Sequence, residues 1–99
     1  MIKGTTPTFT FELAFDASNI VSAYLTFQQG TSIVIEKDMS SALVSEQTIS
    51  FELSQEDTLK LADYPDCVMQ LRFKTNEGKV IGSKLIDVPV IPALKTGEI

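Results

Sequence analysis

The stretch Thr6–Phe15, "TPTFTFELAF", decides the fold class. Phe9, Phe11, Leu13 and Phe15 share one parity, and Thr8, Thr10 and Glu12 share the other. A strict period of two marks a strand with one face on a core and one in water, and Thr and Phe both suit a pleated sheet. On a helix the same spacing would scatter the rings around the axis.

The period recurs on moving outward from this stretch. "DASN" (Asp16–Asn19) has turn chemistry, and "AYLTFQQGTSIVIEK" (Ala23–Lys37) predicts a hairpin. With Gln29-Gly30-Thr31 as its loop, Phe27 faces Ile33 and Leu25 faces Ile35. A two-residue Gln29-Gly30 loop instead opposes Phe27 to Ser32. The first register is preferred, because a one-residue slip turns a whole apolar set outward. "ALV" (Ala42–Val44) predicts a short strand. "TISFELS" (Thr48–Ser54) turns Ile49, Phe51 and Leu53 inward, and "CVMQLRFKT" (Cys67–Thr75) does the same for Cys67, Met69, Leu71 and Phe73. The loop Asn76–Gly78 then leads into "KVIGSKLIDVPV" (Lys79–Val90), with Ile81 opposite Phe73 and Leu85 opposite Met69. Pro89 and Pro92 lack a ladder donor and end regular pairing.

In this scheme all six phenylalanines point inward. The expected fold is all-β: a small antiparallel β-sandwich of six or seven strands in meander order, immunoglobulin-like in the loose sense. A small closed barrel is the alternative. The sandwich occupies residues 1–99 as one domain, with a tail from about residue 91.

One segment breaks the period. "LSQEDTLKL" (Leu53–Leu61) predicts one short helix between the fifth and sixth strands, with Leu59 and Leu61 dropping onto the core. Its Glu56-Asp57 is the only adjacent pair of acids in the chain. As chemistry, the pair would be half of an acid–base dyad. As architecture, Ser54 is an N-cap whose partner Asp57 sits three residues on, and both acids meet the positive end of the helix dipole. The architectural role is the expected one.

Composition removes several functions. The chain contains no histidine, which excludes a Ser-His-Asp triad, a Cys-His pair and a His-ligated metal. Its one cysteine, Cys67, allows no CxxC motif and no internal disulfide, and its strand parity makes it a buried apolar side chain. The five glycines are scattered, so no phosphate-cradling loop exists. The expectation is a non-enzymatic protein with no catalytic, cofactor-binding or metal site. Acids outnumber bases 13 to 8, for a net charge of −5, which opposes nucleic-acid binding. Neither a signal peptide nor an apolar run approaching the roughly 18 residues of a membrane span is present, so a soluble protein with no membrane partner is expected. A chain of 99 residues buries roughly 60–70% of its unfolded surface, enough for a core without staples.

One cationic stripe stands out. Gln70, Arg72 and Lys74 lie on the outward parity of one strand, and Lys84 falls beside Gln70 in the expected register. It is either a solvated face that keeps the sheet from sticking or a docking stripe for an acidic surface, including another copy of this chain.

Four segments together resemble a known group of proteins: "IKGTTPTFTFELAFD", "AYLTFQQGTSIVIEK", "TISFELSQEDTLKL" and "QLRFKTNEGKVIGSKLIDVPV". They are similar to small phage and prophage proteins of Gram-positive hosts over nearly the whole chain, and to the N-terminal domain of phage baseplate upper protein over its first two-thirds. The resemblance implies a phage or prophage structural or assembly protein, tail- or baseplate-associated, that acts through protein–protein contacts. Its implied partners are itself, as a homo-oligomer, or neighbouring virion proteins. Its implied location is the host cytoplasm during assembly, then the virion. It carries no catalytic residues with it. The alternative is an acidic phage-encoded inhibitor or regulator of a host protein. The "S-x-E-D-T" run at Ser54–Thr58 also resembles the turn between the E and F strands of immunoglobulin variable domains, although no Tyr-x-Cys follows and tryptophan is absent.

Overall fold

In the computed structural model, which describes residues 1–99, the alternating segments form eight strands in two antiparallel sheets. They are β1 (Thr8–Glu12), β2 (Ile20–Gln29), β3 (Ser32–Asp38), β4 (Ala42–Ser45), β5 (Thr48–Glu52), β6 (Cys67–Thr75), β7 (Val80–Gly82) and β8 (Ile86–Val88). A single short helix, α1 (Gln55–Leu59), lies between β5 and β6. The smaller sheet runs β1-β5-β4 and the larger β3-β2-β6, with β7 and β8 both pairing on the far side of β6.

The structure is a small all-β sandwich. Its order is not a meander, because β1 pairs with β5 and β2 with β6, so the chain changes sheets after β1, β3 and β5. This is the immunoglobulin strand order without a counterpart of its first strand. Residues before β1 instead run beside the chain end, where Ile2 and Ile91 form a parallel bridge. Beyond Ile91 no strand or helix forms, though Ile99 exchanges backbone bonds with the Gln55 carboxamide at 2.9 and 3.2 Å.

The inward parities meet between the sheets. Leu25 and Phe27 of β2, Ile49 and Phe51 of β5, and Leu53 just beyond it are fully buried. Cys67, Met69, Leu71 and Phe73 of β6 complete the larger sheet's wall beside β2, facing β5. Phe9 packs edge-on against Phe27 with ring centroids 5.4 Å apart, tying β1 to the other sheet.

Two bulges correct the expected registers. The β2–β3 turn has Gly30 and Thr31 at its tip, because Gln29 pairs with Ser32. The register then shifts, and Phe27 faces Ile35 instead of Ile33. The two-residue turn thus sets Ile33 outward opposite Gln28, and an extra residue at Val34 returns Ile35 and Lys37 to the inner face. The turn is held by Gln29, a buried polar side chain that bonds Ala62 twice and Pro65 once. Gly30 has a positive φ and stands so close to Pro65 that a Cβ would lie 2.9 Å from its ring. The Asn76–Gly78 loop forms as expected, with Ile81 opposite Phe73. Met69 then faces Ile86 instead of Leu85, which is exposed. There the Ser83 N–H still donates to the Leu71 carbonyl at 2.8 Å, but the Leu71 N–H is accepted at 3.0 Å by the Ser83 hydroxyl in place of a backbone carbonyl.

The Val34 bulge has a consequence at α1. Ser54 and Asp57 form a reciprocal cap, with Asp57 N–H donating to the Ser54 hydroxyl at 3.0 Å and Ser54 N–H to the Asp57 carboxylate at 2.9 Å. Asp57 is only 6% exposed, and the inward-turned Lys37 reaches it at 2.6 Å. Thr58, also buried, donates to the Thr5 carbonyl at 2.9 Å and holds the residues leading into β1. Leu61 enters the core at 2% exposure, but Leu59 stays half-buried against Gly4. Two residues apart near the end of a helical turn, these leucines face different ways, so only one joins the core.

Burial by itself would raise the Asp57 carboxyl, but Lys37 and the bonds with Ser54 outweigh it, so the group ionises below the ordinary Asp value. Removing Asp57 loses the cap, about 1 kcal/mol, and strands a partly buried ammonium, so Asp57→Ala should cost about 2–4 kcal/mol in all. At roughly 4–8 °C per kcal/mol, the Tm should fall by about 10 °C or more, whereas Glu56→Ala, at the exposed position beside it, should change it by a few degrees at most. Acid should act in the same direction. A carboxylate whose folded pKa is depressed stabilises the fold fully above its unfolded value, about 3.9, and loses that contribution as pH falls through the folded value. Denaturant titrations from neutral pH into acid should therefore show a shallower acid loss for Asp57→Asn than for wild type. Some slope will remain from Asp16 and Asp38, which Ser18 and Ser40 hold below their ordinary values. Equal slopes for both proteins would remove the Lys37–Asp57 pair from the account.

Candidate protein-contact face

The outer face of the larger sheet brings the cationic stripe together with exposed apolar side chains. The pairing registers lay it out in three rows across the sheet. Glu36, Thr26 and Gln70 form one row, Asp38, Tyr24 and Arg72 the next, and Ser22, Lys74 and Val80 the third. Each row crosses neighbouring strands at directly opposite positions, so its side chains share one face. The sheet curves there into a shallow depression of about 470 Å³. Tyr24 is 46% exposed, Ile33 54% and Val80 55%, which leaves open to solvent an aromatic ring opposite Arg72, an aliphatic side chain opposite Lys74 and a second one near the β2–β3 turn.

Of the four residues singled out from sequence, Gln70, Arg72 and Lys74 line this depression. Lys84 does not line it, because the irregular stretch between β7 and β8 breaks the register that would have set it beside Gln70. Gln70 has a structural bond as well, its side-chain amide donating to the Ser83 carbonyl at 2.9 Å. Tyr24 and Val80 also have outward parity on their strands, a signal present in the sequence beside the charges. Ile33 was not legible, since the two-residue turn sets it outward and the Val34 bulge restores Ile35 to the inner face just beyond it.

No protein-family model matches the chain, and no curated protein is significantly similar to it. The face is therefore judged by its own geometry. Its mixture of Tyr and Arg with aliphatic side chains is that of a protein-contact surface, in which aromatic residues and Arg are enriched. Glu36 and Asp38 along the β3 margin give it a polarity, acidic on one side and basic on the other. That polarity fixes the orientation of a partner more than it adds affinity.

The two candidates for bond-making chemistry are placed elsewhere. Asp57 is committed to Ser54 and Lys37, while Glu56 stands exposed on the turn beside it. Cys67 is 2% exposed, and burial pushes its thiol above the ordinary value, away from the reactive thiolate. A disulfide-exchange reagent should label native Cys67 slower than the denatured chain by on the order of 100-fold or more, at a rate set by local opening. Labelling of the folded protein at the denatured rate would restore Cys67 as a candidate nucleophile.

Proposed function

We propose that this protein is a non-enzymatic contact module that docks a protein partner on the outer face of its larger sheet. The observation that carries this is one concave surface on which exposed Tyr24 and Val80 stand opposite Arg72 and Lys74, with Ile33 open at its far margin. The fitting partner offers an apolar side chain to the depression and carboxylates to the two cations. An acidic protein gains from such a site, because its net charge of −5 works against acidic partners at large while Arg72 and Lys74 attract them locally. An inhibitor acting as an acid mimic would instead present a continuous negative surface, and this face does not.

The setting we propose is a phage or prophage particle, with a tail- or baseplate-associated role in structure or assembly. Resemblance of the sequence to small phage proteins and to the baseplate upper protein domain supports that setting. Neighbouring virion proteins are then the partners. The protein would meet them in the host cytoplasm during assembly and remain with them in the virion.

The test is binding, by calorimetry, to the purified products of the genes on either side of this one. Tyr24→Ala and Arg72→Glu should each weaken the interaction by about 30-fold or more, the equivalent of roughly 2 kcal/mol at an interface centre. Both substitutions sit on an exposed sheet surface, so the melting temperature should change little. Binding unaffected by either change would refute this face as the docking site.

A further inference from the structure

Strand β1 is an edge. It pairs with β5 on one side and with nothing on the other. Leu13 N–H donates to the Gln47 carbonyl at 2.7 Å and Leu53 N–H to the Pro7 carbonyl at 2.9 Å, which fixes the phase of that ladder. Phe9 and Phe11 therefore direct their backbone groups to β5, while those of Thr8, Thr10 and Glu12 point away from it. All three of the latter residues are exposed.

The other edges carry the usual protections against strand pairing. The bulge at Val34 and the charges Glu36 and Asp38 guard β3. Strand β4 is short and ends at Glu46, whose φ is positive. Strands β7 and β8 have three residues each and are separated by the irregular stretch at Ser83–Leu85. Between Thr8 and Glu12 there is no bulge, no proline and no lysine, and the one charge, Glu12, lies at the end of the strand. On the inner side of β1, Phe9 and Phe11 are only half-buried, leaving aromatic surface open along the flank.

We propose that β1 is a self-pairing edge, by which two copies of this chain join antiparallel about a two-fold axis at Thr10. The two small sheets then become one continuous sheet with three strands from each copy. The sequence "TFTFE" fits this arrangement. With Thr10 on its own counterpart, Thr8 faces Glu12 at both ends and Phe9 faces Phe11. Every outward-pointing backbone pair then meets another outward-pointing pair, and each exchanges both of its hydrogen bonds. The Phe9–Phe11 pairs take the closer, non-bonded positions and cover each other's exposed flank. Glu12 faces a threonine in this register. Sliding the strands so that Phe11 lies on the axis leaves Thr8 without a partner strand residue, and a further slide of the same size opposes the two Glu12 carboxylates. The interface is isologous, so it closes at the dimer.

This edge belongs to the sheet opposite the Tyr24–Arg72 face, and the two surfaces can fail separately. The experiment is analytical ultracentrifugation of the full chain from micromolar to millimolar concentration. Wild type should form a reversible dimer. Thr10→Lys opposes like charges on the axis, and Thr10→Pro removes an N–H that bonds nothing within the chain. Both should sediment as monomers with unchanged far-UV circular dichroism. Thr8→Lys, which faces Glu12, should tighten the dimer by about threefold or more, and Glu12→Lys should not. Mild oxidation of Thr10→Cys should give a covalent dimer, since bonded antiparallel positions lie about 5.5 Å apart at Cα, within disulfide reach, and Glu12→Cys should give little. A wild type monomeric at every concentration overturns the proposal, as does a dimer that survives in folded Thr10→Lys. Should that variant fail to fold, absence of the Thr10→Cys cross-link overturns it equally. A dimer lost in Arg72→Glu but kept in Thr10→Lys also overturns it, and assigns self-association to the other face.

Discussion

Lys37 ends on a carboxylate inside the sandwich because β3 carries one residue more than a regular ladder would hold. Without the bulge at Val34 its ammonium would stand in water on an edge strand; with it, the side chain passes inward beside Leu25 and closes on Asp57. Asp57 serves at the same time as the acid of the α1 cap. One carboxylate therefore joins the larger sheet to the segment that leaves the smaller one. The rest of that end of the molecule follows from it. Leu61 is seated in the core just past the helix, and Thr58 fastens the carbonyl of Thr5, which positions the entry to β1. Attraction within a buried pair is largely offset by the desolvation of both ions. The weight of this pair lies in what is left if one member goes: a charge partly removed from water with nothing to answer it.

Most of the sandwich was legible in the parity of its apolar residues, and the parts that were not share one cause. Periodicity assigns faces correctly while a strand stays regular, which is why β1, β5 and β6 and the loop before Gly78 agree with it. Each bulge inverts the parity that follows, and neither bulge has a residue signature at its site. The stretch Ile33-Val34-Ile35 is apolar throughout, so alternation cannot say which of its members turns out. At Ser83 the cause is a side-chain hydroxyl standing in for a backbone group, a substitution that only the partner strand reveals. The chain order of the strands was equally hidden. Hairpins are local and leave turn residues behind, whereas the pairings of β1 with β5 and β2 with β6 join segments separated by whole strands.

The same two bulges explain how much of the Tyr24–Arg72 face was legible in the sequence. Arg72 and Lys74 lie on β6, which alternates without an extra residue of its own, and their outward direction follows from parity alone. Ile33 and the displaced Lys84 lie beside the irregularities, and both differ from expectation in the way the shifts require. Charge was visible in the sequence and shape was not. Tyr24 opposite Arg72, Val80 opposite Lys74 and the outward Ile33 give an otherwise cationic stripe its apolar surface, the mixture that the proposed docking role requires.

An immunoglobulin-type sandwich that sends its leading residues to pair at Ile91 exposes β1 as a consequence of topology. The protection seen on β3 is the same bulge that delivers Lys37 to Asp57, so guarding that edge and fixing α1 are a single structural event. No comparable device acts on β1, and a bulge there would misalign Phe9 from Phe27, on which the packing of the two sheets relies. The strand is thus held flat and regular by the core it serves. Its outer hydrogen-bonding groups are left in phase for another strand. If β1 pairs with its own copy, the proposed dimer carries the Tyr24–Arg72 face twice, once per protomer. A pairwise contact with a neighbouring protein then becomes a bivalent one, with its second engagement governed by geometry instead of free concentration.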